Sequence, residues 1–196
     1  MLNETIVVID TETGGLDPHQ HSLLTVALIV TRNLEIIASQ EWKLKHEEYR
    51  TTERALEING IDIKEHDASA MPAAEAIDDM LDFIDHHRQP NERVMLLGQN
   101  TIFDKGFLET SVEQAGCMKR YRSLVSHRYI DLMSITAFLN LTGHIRTEGL
   151  GLDAVIASLN IEKEQRHSAL GDARMTLKAL VDMYKRIPTP TAASLK

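Results

Sequence analysis

Two acids separated by one residue at the end of an apolar run, in Val8-Ile9-Asp10-Thr11-Glu12-Thr13, are the first residues in this sequence that invite a chemical question. If a strand continues through them, its side-chain period of two sets Asp10 and Glu12 on one face, about 6.5–7 Å apart, a separation that one pair of divalent ions bridges. Bare carboxylates at a buried strand end raise each other's pKa and lose solvation unless a cation compensates, so a metal reconciles their position with their charge. The alternative is a strand that stops at Ile9 and leaves both acids as solvated turn residues. A third acid, Asp104, follows the loop Gln99-Asn100-Thr101-Ile102-Phe103, where a short apolar run gives way to a helical pattern. Open α/β sheets bind ligands outside the carboxyl ends of their strands, and Asp104 lies near that edge. It equally fits an ordinary first-turn acid opposing a helix dipole. The last constellation is His167-Ser168-Ala169-Leu170-Gly171-Asp172. Ser168 can cap the final long helix, which leaves His167 on the preceding loop and Asp172 in the early turns, where both reach one site. If both were helical, their spacing would put them ~140° apart.

The elements that must carry these residues follow from the hydrophobic pattern. Thr5 to Asp10 is a β-branched run of the fully buried kind, stopped by Gly14-Gly15 and Asp17-Pro18. Leu23 to Val30 and Ile36 to Leu44 read as two further strands joined tightly at Arg32-Asn33, which gives a three-strand meander. Residues 73 to 87 place Ala73, Ile77, Leu81 and Ile84 at helical spacing, an amphipathic helix that should cover the sheet. Val94 to Leu97, closed by Gly98, fits a buried parallel strand, Phe103 to Ala115 a helix, and Tyr129-Ile130 a weaker second parallel strand. Leu132 to Leu141, Leu152 to Leu159 and Ser168 to Arg186 are helical in pattern. The expectation is an α/β fold with a mixed five-stranded sheet, the meander plus two parallel strands, flanked by helices.

The chain has 196 residues and is 43% hydrophobic, enough for one substantial core; one domain is expected over residues 1–186, with a disordered tail over 187–196. No apolar stretch approaches the ~20 residues of a membrane span, and the N-terminus lacks a signal-peptide pattern, so a cytoplasmic protein is expected. Cys117 is the only cysteine, which excludes an internal disulfide and a thiolate zinc cluster. With 21 basic and 29 acidic residues the net charge is −8, which argues against a protein that coats nucleic acid through a broad basic surface. Local basic groups occur at Lys119, Arg120 and Arg122, and around Lys163 and Arg166.

Taken together, the three constellations resemble the DEDDh 3′→5′ exonucleases, the group that includes the proofreading epsilon subunit of bacterial DNA polymerase III, ribonuclease T and oligoribonuclease. Asp10-Thr11-Glu12-Thr13 followed by Gly15-Leu16-Asp17-Pro18 is similar to that family's first motif, Asn100 with Phe103-Asp104 and Phe107 to its second, and His167 with Asp172-Ala173 to its third. Lesser similarities lie at Ala55-Leu56, Asn59-Gly60-Ile61, Ile130-Asp131 and Leu152-Asp153. Two positions depart from the pattern: Gln99 stands where many relatives have His, and Thr25 where many have an acid on the second strand.

The resemblance implies a ribonuclease H-like fold and a site in which Asp10, Glu12, Asp104 and Asp172 hold two ions, Mg²⁺ or Mn²⁺, with His167 as general base. It also implies that Thr13, Gly14, Gly15, Leu16, Asn100 and Phe103 meet the substrate, which would be the 3′ end of single-stranded DNA or RNA. A homodimer or a polymerase-associated subunit is the expected assembly. The rival readings are a two-metal phosphatase or phosphodiesterase for small nucleotides and an inactive homologue that binds nucleic-acid ends. Because His167 is the one implied catalytic residue that is not a metal ligand, His167→Ala should lower kcat by ~10²–10⁴-fold while divalent-ion affinity holds. Steady-state kinetics at saturating substrate, paired with calorimetric metal titration, checks this; a near-parental kcat would make His167 structural.

Overall fold

The computed structural model of the chain describes residues 4–162 and 168–187. In chain order the elements are β1 (Thr5–Thr13), β2 (Leu23–Arg32), β3 (Glu35–Lys45), α1 (Glu53–Asn59), α2 (Ile63–Ser69), β4 (Met71–Pro72), α3 (Ala73–His87), β5 (Val94–Gly98), α4 (Thr101–Gln114), α5 (Met118–Leu124), β6 (Val125–Asp131), α6 (Leu132–Leu141), α7 (Leu152–Leu159) and α8 (Ala169–Arg186). They build an α/β fold around one mixed sheet of order β4-β3-β2-β1-β5-β6. The meander β1-β2-β3 is antiparallel, and β5 and β6 continue it as parallel strands.

Strand β1 is central because its β-branched run suits burial on both sides. Ile6 and Val8 pack with Ile29, Leu97, Ala173 and Leu177, beneath α8. Val7 and Ile9 face the larger core with Ile77, Leu81 and Ile84 of α3 and Phe107 and Leu108 of α4. The β2–β3 link is tighter than a generic loop: Asn33 and Leu34 have φ of 55° and 65°, the paired left-handed conformation of a two-residue hairpin turn.

The expected five strands become six. The addition, β4, pairs only Met71 and Pro72 with Leu44 and Lys45, and two residues carry no readable periodicity. Strand β1 runs past Asp10 to Thr13, so the acids stand on the sheet and are not solvated turn residues. The seven-residue helices α1, α2 and α5 were absent from the sequence expectation because each is too short to show an apolar stripe. Local caps define two of them instead: Thr52 Oγ1 accepts from Ala55 N at 3.1 Å, and Asp62 Oδ1 accepts from Lys64 N and Glu65 N. Arg120 of the first basic group is taken up in ion pairs with Asp78 and Asp82 of α3. Beyond Ile187, the tail expected to be disordered lies outside the described residues, as do Lys163 and Arg166. Cys117 is half-buried against the core. Among the described residues no helix is long and apolar enough to cross a membrane.

One carboxylate ties the parallel end of the sheet together. Asp131, at the end of β6, caps α6 by accepting from Ser134 N at 3.1 Å, and its other oxygen accepts from Thr101 N at 3.2 Å, in the first turn of α4. Asp131→Ala should therefore uncap two helices and cost about 1–2 kcal/mol, whereas Asp131→Asn, with one acceptor oxygen in place of two, keeps only one of the two bonds and recovers part of that stability. A urea midpoint lowered most for Ala and by an intermediate amount for Asn, with unchanged slope, is the expected result.

Candidate metal centre

Side-chain alternation along β1 divides its carboxyl end between the two faces of the sheet. Asp10 and Glu12 continue the Ile6–Val8 side toward α8. Ser168 starts that helix, its Oγ accepting from Gly171 N at 3.1 Å and its carbonyl from Asp172 N at 3.0 Å. Asp172 is thereby held in the first turn. One carboxylate oxygen from each of Asp10, Glu12 and Asp172 can be chosen so that all three lie within 4.8 Å of one another, and all three residues are half-buried. Among the described residues, no other group of three or more His, Cys, Asp or Glu is disposed in this way. The donor set is hard oxygen alone, which suits a divalent cation of the Mg²⁺ or Mn²⁺ kind.

Thr11 and Thr13 turn to the opposite side. Thr11 Oγ1 donates to Asp104 Oδ1 at 2.8 Å, and Asp104 is buried in the first turn of α4, where it is not part of the trio. Burial pushes its carboxyl up from the ordinary 3.8 to about 7; the Thr11 hydrogen bond opposes the rise and nearby Asp131 adds to it. His167, the expected base, lies outside the described residues.

Next to the trio is an apolar cavity of about 590 Å³ that shares Glu12 with it and is lined by Thr13, Gly15, Leu16, Ile58 and Phe103 among others. Leu16 is 84% exposed, so it is a surface residue and not core, while Phe107 and Leu108 are fully buried. Phe103 is half-buried, with its ring 5.1 Å from that of Phe107. Gly14 and Asn100 do not line this cavity. Asn100 instead makes the strand-to-helix corner with φ of 63°, a conformation Asn tolerates well.

The chain's own packing requires the two glycines of the first motif. A Cβ at Gly14 would overlap the Arg50 carbonyl, and one at Gly15 the His21 ring. Thr13 Oγ1 donates to Gly15 O at 2.7 Å, and Asn59 Nδ2 donates to Thr13 O at 3.2 Å, so α1 buttresses this loop. Ile58 and Thr11 were not picked out from sequence. Alternation alone could have identified Thr11, since a residue between two co-facing acids must face away from them.

The sequence model of the Exonuclease (RNase_T) family matches residues 7–180. The chain belongs to this exonuclease family. Among its relatives, the PolC-type DNA polymerase III of Thermotoga petrophila is 26% identical over 188 residues, which cover 94% of this chain and 12% of that protein. Ribonuclease T of Haemophilus ducreyi is 26% identical over 190 residues, covering 92% and 85% respectively. Exonuclease I of E. coli, solved with a dT13 oligonucleotide, shares the fold with a TM-score of 0.78 at 18% identity, over 93% of this chain and 41% of that one. This exonuclease chain thus spans a small part of the polymerases and under half of exonuclease I, but most of ribonuclease T.

The raised Asp104 pKa has a definite sign in stability. Between the ordinary carboxylate value and about 7, the folded chain holds a proton that the unfolded chain has released, so this group's contribution to stability falls as pH rises through that window. Asp104→Asn cannot ionise and keeps an acceptor for Thr11. In metal-free protein the variant's thermal midpoint should therefore gain on the parent's between pH 4 and 8, and a pH-independent difference would show that Asp104 titrates normally.

Proposed function

We propose that the chain is a metal-dependent 3′→5′ exonuclease that removes nucleoside 5′-monophosphates from single-stranded nucleic acid. The observation that carries this reading is the junction at Glu12 of a hard-oxygen acidic trio with an apolar cavity. Its volume, about 590 Å³, lies within the ~300–1,000 Å³ range of small-ligand sites and fits a terminal nucleotide. Asp10, Glu12 and Asp172 would hold two divalent ions, Mg²⁺ or Mn²⁺, and on the resemblance Asp104 completes the donor set. When bound, the ions supply Lewis acidity for the scissile phosphate and stabilise charge on the attacking and leaving oxygens. The chain's residues do the rest. Leu16, Ile58 and Phe103 receive the terminal base and exclude water from it, the backbone beside Thr13 and Gly15 meets the sugar, and His167 takes the proton of the attacking water. A neutral imidazole suits that task near physiological pH.

The relatives support the substrate class. E. coli exonuclease I has been solved with dT13 and, in a zinc-bound form, with single-stranded DNA. The PolC-type relatives make association with a polymerase a natural assembly to test, alongside a homodimer.

With 5′-labelled linear DNA and RNA, the expected products are ladders that shorten from the 3′ end, abolished by EDTA and restored by Mg²⁺ or Mn²⁺. Cutting of circular single strands, or internal fragments ahead of mononucleotides, would contradict the proposal. Hydrolysis of small nucleotides with oligomers left intact would favour the phosphatase reading. Asp10→Ala should abolish the ladder while its metal-free thermal midpoint holds or rises, since one of three mutually repelling charges is gone. The midpoint increase on adding metal should shrink in that variant, and an increase equal to the parent's would show that Asp10 is not a ligand.

A further inference from the structure

We infer that Glu41 is a positioning residue for the acidic site: from β3 it fixes the first turn of α8 and, through that turn, the reach of Asp172. This rests on the metal-site reading above.

Asp10 pairs with Ala27 of β2, and Ala27 pairs in turn with Glu41 of β3. Directly paired residues point to the same face of a sheet, so Glu41 stands in line with Asp10 on the α8 side. Strand spacing puts the two backbones roughly 9–10 Å apart, and Glu41 is not one of the acids whose oxygens gather within 4.8 Å; its carboxylate lies instead on the first turn of α8. Ala27, fully buried between them, has only a methyl group, and α8 packs on its strand β2. Glu41 and Glu12 also line a common cavity of about 290 Å³, closed on one side by Ser168 and Ala169.

Glu41 Oε2 accepts a hydrogen bond from Leu170 N at 3.2 Å, across 129 residues of sequence. Helix starts leave their first amides without intrahelical partners. Here Ser168 takes the amide of Gly171, and Glu41 takes the amide of Leu170. The two bonds do different things. Ser168 is local, so it fixes where the helix begins but not where that beginning sits on the sheet. The apolar contacts of Ala173 and Leu177 with Ile6 and Val8 hold the helix down, but such contacts are non-directional and permit rotation. A charge-assisted bond from a strand to a helix amide is directional and fixes that rotation. Asp172 is two residues beyond the anchored amide, on the same turn, so the azimuth set by Glu41 decides whether its carboxylate meets Asp10 and Glu12.

The test is calorimetric Mn²⁺ binding to the parent, Glu41→Ala, Glu41→Gln, Asp172→Ala and the Glu41→Ala/Asp172→Ala double variant, with metal-free thermal midpoints measured alongside. Loss of an outer-shell partner typically costs ~10–100-fold in metal affinity, and that is the expected effect of Glu41→Ala. Glu41→Gln keeps an acceptor without the charge and should recover most of the loss. In the Asp172→Ala background, Glu41→Ala should weaken Mn²⁺ binding no further. The inference is overturned if Glu41→Ala lowers the midpoint but leaves Mn²⁺ affinity unchanged, which would be a purely structural role. It is equally overturned if Gln is as damaging as Ala, or if the losses add in the double variant, since Glu41 would then act on the ion through its charge. Unchanged Mn²⁺ affinity in Asp172→Ala would instead defeat the metal-site reading itself.

Discussion

Three carboxylates with oxygens inside 4.8 Å of one another repel, and the fold has to be strong enough to keep them there. At an effective dielectric near 20, each pair of unit charges at that separation costs about 3–4 kcal/mol, so three pairs approach the whole ~5–15 kcal/mol stability of an ordinary domain. Such a cluster persists where hydrogen bonds, protons or a cation offset the repulsion. Hard oxygen donors and the lack of any neighbouring cysteine direct the choice toward a divalent metal. The net charge of −8 fits this arrangement, because bound ions supply positive charge locally where a basic surface is missing.

The scaffold answers the repulsion by building each acid into a different kind of rigidity. Asp10 and Glu12 sit on β1, which is paired on both sides, antiparallel to β2 and parallel to β5. Asp172 sits on the first turn of α8, capped by Ser168 and pinned by apolar contact with the same strand. Asp104 is held in the first turn of α4 by a hydrogen bond from Thr11, the residue between the two β1 acids. One strand thus presents acids to one face and a hydroxyl anchor to the other. That division is available only because β1 keeps its alternation to Thr13, where the register shifts in a bulge.

Much of this was legible in the sequence because it is written in periodicity. The meander, the buried strand at Val94–Gly98 and the long helices follow from apolar spacing, and α3, α6 and α7 fall on the expected bounds. The placement of Asp10, Glu12 and Asp172 on one site was legible from a strand period, a cap at Ser168 and the order of the motifs. What stayed hidden depends on single contacts between distant segments. Glu41 reaching Leu170, Asp131 bridging α4 and α6, and Asn59 holding the Thr13 carbonyl leave no periodic trace. The packing role of Gly14 and Gly15 leaves no such trace either: what crowds them is the Arg50 carbonyl and the His21 ring, which come from other stretches of the chain.

The claim on which the rest depends is that Asp10, Glu12 and Asp172 form a divalent-metal site. Crystals grown with Mn²⁺, measured for anomalous scattering, would test it without reference to activity. The account predicts anomalous density between the three carboxylates, with their oxygens at roughly 2.0–2.2 Å from an ion. Density confined to other acidic surfaces, with the trio's carboxylates splayed apart around water, would contradict it.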